Sequence, residues 1–181
     1  MLHLKNITAG NPKTAEQYQM TKRHSIVWLF SEDGKNWYEE QKNFASDTIK
    51  VAYNERGRVV WVGKDVTGIE PTNVSIIELP DITTNRRITA PGYWFYRNDE
   101  FVFDYKLKAE DERDALLKQV SVMTSDQEKD LLLGLISDED REKLKAYRIY
   151  AKSLQAMDFS TIADKTSYNA IEWPVSPEAS S

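Results

Sequence analysis

The spacing of apolar residues changes from a strand period to a helix period near residue 106, and this change most constrains the fold. Fifteen of the twenty aromatic residues and six of the seven glycines lie before that point. Short apolar runs between turn residues are typical of antiparallel strands, whereas repeats at three and four residues indicate helices. We therefore expect an α+β protein, with a β-rich domain of short strands and hairpins over residues 1–106. A small helical domain with an extended tail is expected over residues 107–181.

The first half contains short apolar segments joined by turn sequences. Residues 54–57 and 97–100 have the composition of hairpin connections, and Gly34 ends a turn in which a positive φ is expected. Strands are predicted at residues 26–30, 48–53, 58–62, 75–79, 93–96 and 101–105. Alternation in the last hairpin predicts one aromatic face, formed by Trp94, Tyr96, Phe101, Phe103 and Tyr105.

The second half predicts three helices. The first covers residues 109–123, and Ser125 with Glu128 forms a capping-box signature that would start a second helix over residues 126–136. Ser137, followed by acidic residues, predicts the N-cap of a third helix that ends near Met157. Leu116, Leu117, Val120 and Leu131 to Leu133 are expected to cover part of an apolar stripe on the third helix, which consists of Leu144, Tyr147, Ala151 and Leu154.

The composition excludes several classes of protein. The chain has no cysteine and only two histidines, His3 and His24, so disulfides, cysteine ligands and a three-histidine metal site cannot form within one chain. Its formal charge of −5 argues against binding to a phosphate backbone. The longest aliphatic or aromatic run, residues 26–30, is far shorter than the roughly 20 residues of a membrane span. We expect a cytoplasmic protein that binds neither nucleic acid nor membrane.

No residue pattern favours catalysis or cofactor binding. Neither a glycine-rich phosphate loop nor a G-x-S-x-G nucleophile turn occurs. Acidic pairs such as Glu39 and Glu40 remain as candidates for a hydrolase, but neighbouring residues on a strand point to opposite faces. The acids after Ser137 are explained by helix capping. We therefore predict that the protein is not an enzyme and uses no cofactor and no metal.

Large aromatic side chains are the best candidates for partner contacts, because Trp and Tyr are enriched where proteins bind each other. Such rings also stack on sugars, so a carbohydrate-binding module that uses exposed aromatics is an alternative function, and many of the rings must pack a core. The candidates for partner binding are Trp37, Tyr38, Trp61, Trp94 and Tyr96. The candidates for self-association are Leu144, Tyr147, Ala151 and Leu154.

Several segments of the chain, taken as one string, have a familiar order. The most specific is the run SEDGKNWYEEQ at residues 31–41, and the Glu-Trp-Pro sequence at residues 172–174 supports it independently. The other segments are residues 4–6, 11–14, 16–18, 21–24, 28–29, 42–44, 47–48, 50–53, 145, 147–148, 158 and 160–161. Together they resemble the bacteriophage tail fibre assembly chaperones, the Tfa family.

This resemblance implies a function. Proteins of this kind bind the C-terminal tip of a trimeric tail fibre and promote its folding and trimerisation in the host bacterial cytoplasm, and some remain on the virion at the fibre tip. The family is modular, so the resemblance implies fibre binding for residues 1–106. It implies assembly and weak homo-oligomerisation for residues 107–181.

Overall fold

The structure, a computed structural model, describes residues 1–180, with side chains described up to residue 178. The chain forms two compact units, Met1–Phe103 and the residues from Asp104 onward. Within the described residues, the strands lie in the first unit and the second unit is helical. The predicted α+β class is confirmed.

The N-terminal unit is built on a five-stranded antiparallel sheet with the strand order β2-β1-β5-β3-β4. A separate hairpin, β6–β7, follows it. The elements are β1 (His3–Gly10), α1 (Ala15–His24), β2 (Trp28–Phe30), α2 (Trp37–Glu40), β3 (Thr48–Asn54), β4 (Val59–Gly63), β5 (Val74–Pro80), β6 (Trp94–Arg97) and β7 (Glu100–Phe103). Short 3-10 turns lie at Gln41–Asn43, Val66–Gly68 and Asn85–Arg87.

Strand β1 and helix α1 were absent from the sequence prediction. The pairing of β1 with β5 shifts between Leu4 and Ile7, where Asn6 has a φ of 47°. Because of this bulge, Leu4 and Ile7 lie in the same core although they are three residues apart. Buried and exposed residues therefore do not alternate along the strand. Thr14 is the N-cap of helix α1, and its side chain accepts the Gln17 N–H at 3.1 Å; the helix carries few apolar residues.

Both faces of the sheet are covered by a hydrophobic core. On one face, Leu4, Ala52 and Ile76 pack with Trp37 of α2. On the other face, Val51 and neighbouring residues pack against half-buried side chains of the β6–β7 hairpin. Alternate residues of β3 enter opposite cores, so its centre is buried on both sides.

Gly57 joins the β6–β7 hairpin to the sheet. Its carbonyl oxygen accepts the Tyr96 N–H at 2.7 Å, and its φ is +78°. A Cβ at this position would overlap the carbonyl oxygen of Tyr96. Glycine is therefore required both by the backbone conformation and by the close approach of β6.

A buried lysine and a buried glutamate lie opposite each other at one end of the sheet. Lys50 is 1% exposed and pairs in register with Glu78, which is 6% exposed. The Glu78 carboxylate accepts hydrogen bonds from Ala45 N–H at 2.6 Å and Thr48 Oγ1 at 2.8 Å. The Lys50 ammonium donates to the Ala45 carbonyl oxygen. These contacts attach the loop before β3 to the sheet.

The helical unit contains two long helices and one short one, α3 (Tyr105–Leu133), α4 (Asp138–Gln155) and α5 (Lys165–Asn169). The predicted break at Ser125 is wrong, because α3 continues through it. Thr124 is 4% exposed, and its hydroxyl donates to the Val120 carbonyl oxygen at 3.0 Å inside the helix. Packing of α3 against α4 therefore outweighs a local capping signal worth about 1 kcal/mol.

The turn between α3 and α4 matches the sequence prediction for the third helix. Ser137 caps α4, and its hydroxyl accepts the Asp140 N–H at 3.1 Å. Gly134, with a φ of +72°, ends α3, and Leu135 N–H donates to the Asp130 carbonyl oxygen at 2.8 Å, as in a Schellman motif. The two helices pack through a core of Val120, Tyr150, Ala151 and Leu154.

The segment after α4 returns to the helix pair. The Tyr168 hydroxyl lies 2.6 and 2.7 Å from the two oxygens of the Glu112 carboxylate. Trp173 packs on the helical core, and its ring centroid lies 5.7 Å from that of Phe159. The predicted tail is therefore largely loop-like but carries α5 and adds side chains to the core.

Candidate partner-binding surfaces

Trp37 and Tyr38 are neighbours on α2 with opposite environments. Asn36 caps the helix by accepting the Tyr38 N–H at 3.0 Å, which sets where the turn begins. Trp37 is 1% exposed and lies in the core, whereas Tyr38 is 44% exposed. Trp37 is therefore a core residue and not an accessible anchor, which corrects its place among the partner-binding candidates.

Tyr38 forms an apolar surface with Val27, which is 61% exposed. The Tyr38 hydroxyl donates to the Val27 carbonyl oxygen at 2.8 Å, and its ring meets the buried Trp28 edge-on at 5.8 Å. Trp28 is itself fixed because its Nε1 donates to Thr21 Oγ1 at 2.7 Å. Burial, with a smaller effect of the Glu70 charge, raises the pKa of Tyr38. We call Val27 and Tyr38 the Tyr38 patch, in which the hydrogen bond and the contact with Trp28 support the Tyr38 ring.

Tyr96 belongs to a half-buried aromatic cluster. Its ring stacks on Tyr53 at 4.6 Å, and its hydroxyl donates to Asp99 at 3.1 Å. Burial and this contact with Asp99 raise the pKa of Tyr96 to about 12. His3 lies 2.7 Å from the Tyr53 hydroxyl, and burial, aided by the charge of Lys5, lowers the pKa of His3. The cluster is therefore uncharged at its centre at neutral pH.

Trp61 and Trp94 are half-buried and contribute to the two cores of the sheet. Trp94 meets Phe103 edge to face at 5.5 Å, and Tyr93 meets the same ring at 66°. The register Trp94↔Phe103 and Tyr96↔Phe101 confirms four of the five residues predicted for the aromatic face of the hairpin. The prediction for Tyr105 is wrong, because β7 ends at Phe103 and Tyr105 begins α3. Phe103 therefore meets both rings at steep angles, whereas a sugar platform requires coplanar exposed rings. The stacked pair Tyr53–Tyr96 is closer to coplanar, but Tyr53 is buried.

The stripe predicted for self-association is mostly core. Ala151 and Leu154 are 7% and 0% exposed and pack against α3, so neither is accessible to a second copy, which corrects their place among the candidates. Leu144 and Tyr147 are half-buried. Burial, with a hydrogen bond to Glu178, raises the pKa of Tyr147. Only the first two positions of the stripe retain accessible surface.

A groove runs between α3 and α4 next to Leu144. It consists of two cavities of about 300 and 630 Å³ that share Glu128, Leu144 and Arg148. Its lining combines apolar side chains with polar ones, including the Glu128 carboxylate, and one rim carries cations from α4. The apolar lining consists of Leu117, Val120, Leu131, Leu144 and Ala151, and the cationic rim consists of Arg141, Lys145 and Arg148. We call this the arginine-rimmed groove.

Four leucines at the α3–α4 turn are exposed, and this contradicts the prediction that Leu131 to Leu133 cover part of the third helix. Acidic residues lie on both sides of them, including Asp130 and Asp138. We call this surface the leucine tip; it consists of Leu131, Leu132, Leu133 and Leu135, which are 45%, 87%, 71% and 72% exposed. Sequence periodicity could not find it, because an apolar residue on a helix indicates burial only if another element covers it.

The acidic residues considered for catalysis have structural partners. The Glu39 carboxylate accepts from Asn36 Nδ2 at 3.0 Å at the start of α2. In residues 1–180, no three histidine, aspartate or glutamate side chains form a group suited to holding a metal ion. None of the helices in this part of the chain is both long and apolar enough to span a membrane.

Exposed apolar surface on each unit is typical of a protein that binds other macromolecules.

Residues 39–178 match the family model described as "Caudovirales tail fibre assembly protein, lambda gpK". Tail fiber assembly protein U′ of Escherichia phage Mu is 45% identical over 168 residues, which cover 90% of this chain and 95% of the relative. Tail fiber assembly protein U of the same phage is 38% identical, covering 98% and 100%. A probable tail fiber assembly protein of Escherichia phage P2 is similar to the same extent. The chain belongs to the tail fibre assembly protein family, and the predicted resemblance is confirmed.

Proposed function

We propose that this protein is an assembly chaperone that binds the C-terminal tip of a trimeric tail fibre and promotes its correct folding and trimerisation. Its membership of the tail fibre assembly family supports this proposal. An intertwined β-rich trimer forms through non-local contacts, which are slow, and its unpaired strand edges invite incorrect pairing. A protein that holds three fibre C-termini together reduces this hazard without catalysing a reaction. It acts in the host bacterial cytoplasm and can remain on the virion.

The N-terminal unit is the proposed fibre-binding domain, and the Tyr38 patch is the observation that carries this assignment. A tyrosine and a valine exposed together on a rigid support provide a contact with little conformational entropy to lose on binding. The accessible parts of Trp61, Trp94 and Tyr96 are separate candidates for contacts with the fibre.

Co-expression with a tail fibre gene from the same genome tests the proposal. Tagged fibre should retain this protein through purification, and fibre made without it should be insoluble or fail to form trimers. Tyr38→Ala with Val27→Ser should weaken co-purification at least about tenfold, because aromatic anchors dominate interface energetics. Val60→Ser is the matched control, since Val60 is 44% exposed on β4, at the opposite edge of the sheet from β2. Normal fibre trimers in the absence of this protein would contradict the proposal.

The helical unit is the proposed site of weak self-association. Support comes from its exposed leucines and from the accessible surface of Leu144 and Tyr147. Sedimentation of the full chain across a micromolar concentration range measures this property separately from fibre binding.

A further inference from the structure

The leucine tip and the arginine-rimmed groove have complementary chemistry on one helical hairpin. The tip presents leucines with acidic residues on both sides, and the groove presents apolar side chains beside three cations and one carboxylate, Glu128. Exposed leucines are unfavourable in water, and the apolar lining of an open groove has the same unfavourable hydration. A groove can therefore bury the leucines of a tip, and its cations can pair with the acidic residues beside those leucines.

The groove rim carries three cations, although the formal charge of the chain is −5. Arg141, Lys145 and Arg148 lie four and three residues apart on α4 and span about 10 Å at the helical rise. Lys145 pairs with Glu142 at 2.8 Å. Among the residues that the structure describes, no carboxylate lies within 4.0 Å of the Arg141 or Arg148 guanidinium. The two arginines are therefore available to carboxylates from outside the chain.

We infer that the leucine tip of one copy occupies the arginine-rimmed groove of a second copy, and that the exchange is reciprocal. This inference rests on the self-association proposed above and assigns it to particular residues. Tip and groove adjoin, because Leu131 contributes to both. With a two-fold axis near Leu144, each tip lies over the groove of the other copy, and Asp130 beside the tip pairs with Arg148, which lies where the two cavities meet. Such a contact uses the same surface on both copies, so it closes as a dimer and does not extend into a filament.

Sedimentation of the full chain tests the role of the tip. The double variant Leu132→Ser, Leu133→Ser should raise the dimer dissociation constant at least about tenfold, because it removes apolar area that is buried only in the dimer. Both side chains are exposed in the single chain, so the fold should survive, and circular dichroism checks this. Val122→Ser and Ile149→Ser are matched controls on α3 and α4, at 70% and 67% exposure, and should leave the constant unchanged.

A mixing experiment tests the charge contact and its reciprocity. Asp130→Lys alone places a cation opposite Arg148, and Arg148→Glu alone places an acid opposite Asp130, so each variant should be mainly monomeric. An equimolar mixture should form a heterodimer, because both of its contacts then join opposite charges. Binding should weaken as salt rises, since salt screens these pairs. A mixture that remains monomeric would overturn the reciprocal arrangement.

The outcomes separate this inference from the proposals on which it rests. A tip variant that dimerises like the wild type would overturn the inference and leave self-association in place. A wild-type chain that is monomeric at every concentration would overturn both, while fibre co-purification would still report on the chaperone function. Loss of fibre binding in the tip variant, with a monomeric wild type, would assign the tip to the fibre and overturn the choice of a second copy.

Discussion

At the scale of single residues, Gly57 shows how one position fixes the β6–β7 hairpin to the sheet. We expect Gly57→Ala to lower the free energy of unfolding by about 2–3 kcal/mol, because it strains the backbone and displaces the hydrogen bond from Tyr96 N–H. Urea unfolding followed by tryptophan fluorescence measures the change. Gly68→Ala is the control, since its new Cβ would meet no atom within 4 Å and its φ is not positive. Equal stabilities of the two variants would contradict this account.

Glu78 gives the N-terminal unit a predictable dependence on pH. Burial opposes its ionisation, but hydrogen bonds from Ala45, Thr48 and Leu2 and the charge of Lys50 outweigh burial and lower its pKa. A lowered pKa means that its stabilisation is present above about pH 4.3, the unfolded value, and is lost as the pH falls through the folded value. Glu78→Gln should lower the free energy of unfolding by about 2 kcal/mol at neutral pH. The variant should also lose less stability than the wild type as the pH falls.

Urea unfolding at a series of pH values between neutral and acid measures this effect. Glu55→Gln, at an exposed position in the turn between β3 and β4, should match the wild type throughout. If Glu78→Gln retains the full acid sensitivity of the wild type, another carboxylate is responsible.

At the scale of elements, two serines in the helical unit have the same local signature but different positions. Ser137 caps α4, whereas Ser125 lies inside α3. Ser137→Ala should destabilise the helical unit by about 1 kcal/mol, because the Asp140 N–H loses its acceptor. Ser125→Ala should be neutral or slightly stabilising, because alanine is the better residue within a helix. Thermal unfolding followed by far-UV circular dichroism compares them, and a similar loss in both would indicate that α3 breaks at Ser125.

The elements that sequence reasoning found are those whose local and tertiary preferences agree. The β3–β4 and β6–β7 hairpins have turn residues that require their observed conformations, including Gly57 and Asn98 with positive φ. Strand β1 was missed because its bulge removes the period of two. The sequence prediction split α3 into two helices at Ser125. A capping signature of four residues reflects only local preference and cannot show that α4 packs against α3.

The candidate surfaces were predictable only in part. A four-residue helix such as α2 has no periodicity from which to tell which of Trp37 and Tyr38 is buried. The stripe on α4 was found correctly as an apolar face, but sequence alone could not say that α3 covers Ala151 and Leu154. The prediction for the leucine tip was wrong in the opposite direction. Leu131 to Leu133 were predicted to be covered, but they are exposed at the α3–α4 turn.

At the scale of the whole molecule, each unit has its own hydrophobic core, so each should fold alone. We expect residues 1–103, expressed by themselves, to unfold cooperatively and to co-purify with the fibre. The experiment compares this fragment with residues 104–181 and with the full chain in the same pull-down. Retention of fibre by the helical fragment alone would show that the binding role belongs to the other unit.

The segment after α4 returns to the helical core, and this has a consequence for folding during synthesis. Trp173 lies 70 residues after Phe103, the last residue of the first unit, so the helical core gains the Trp173 side chain only after these residues have been made. At about 5–20 residues per second, the ribosome needs roughly 4–14 s to add them. Met1–Phe103 can therefore begin to fold before the core of the helical unit is complete.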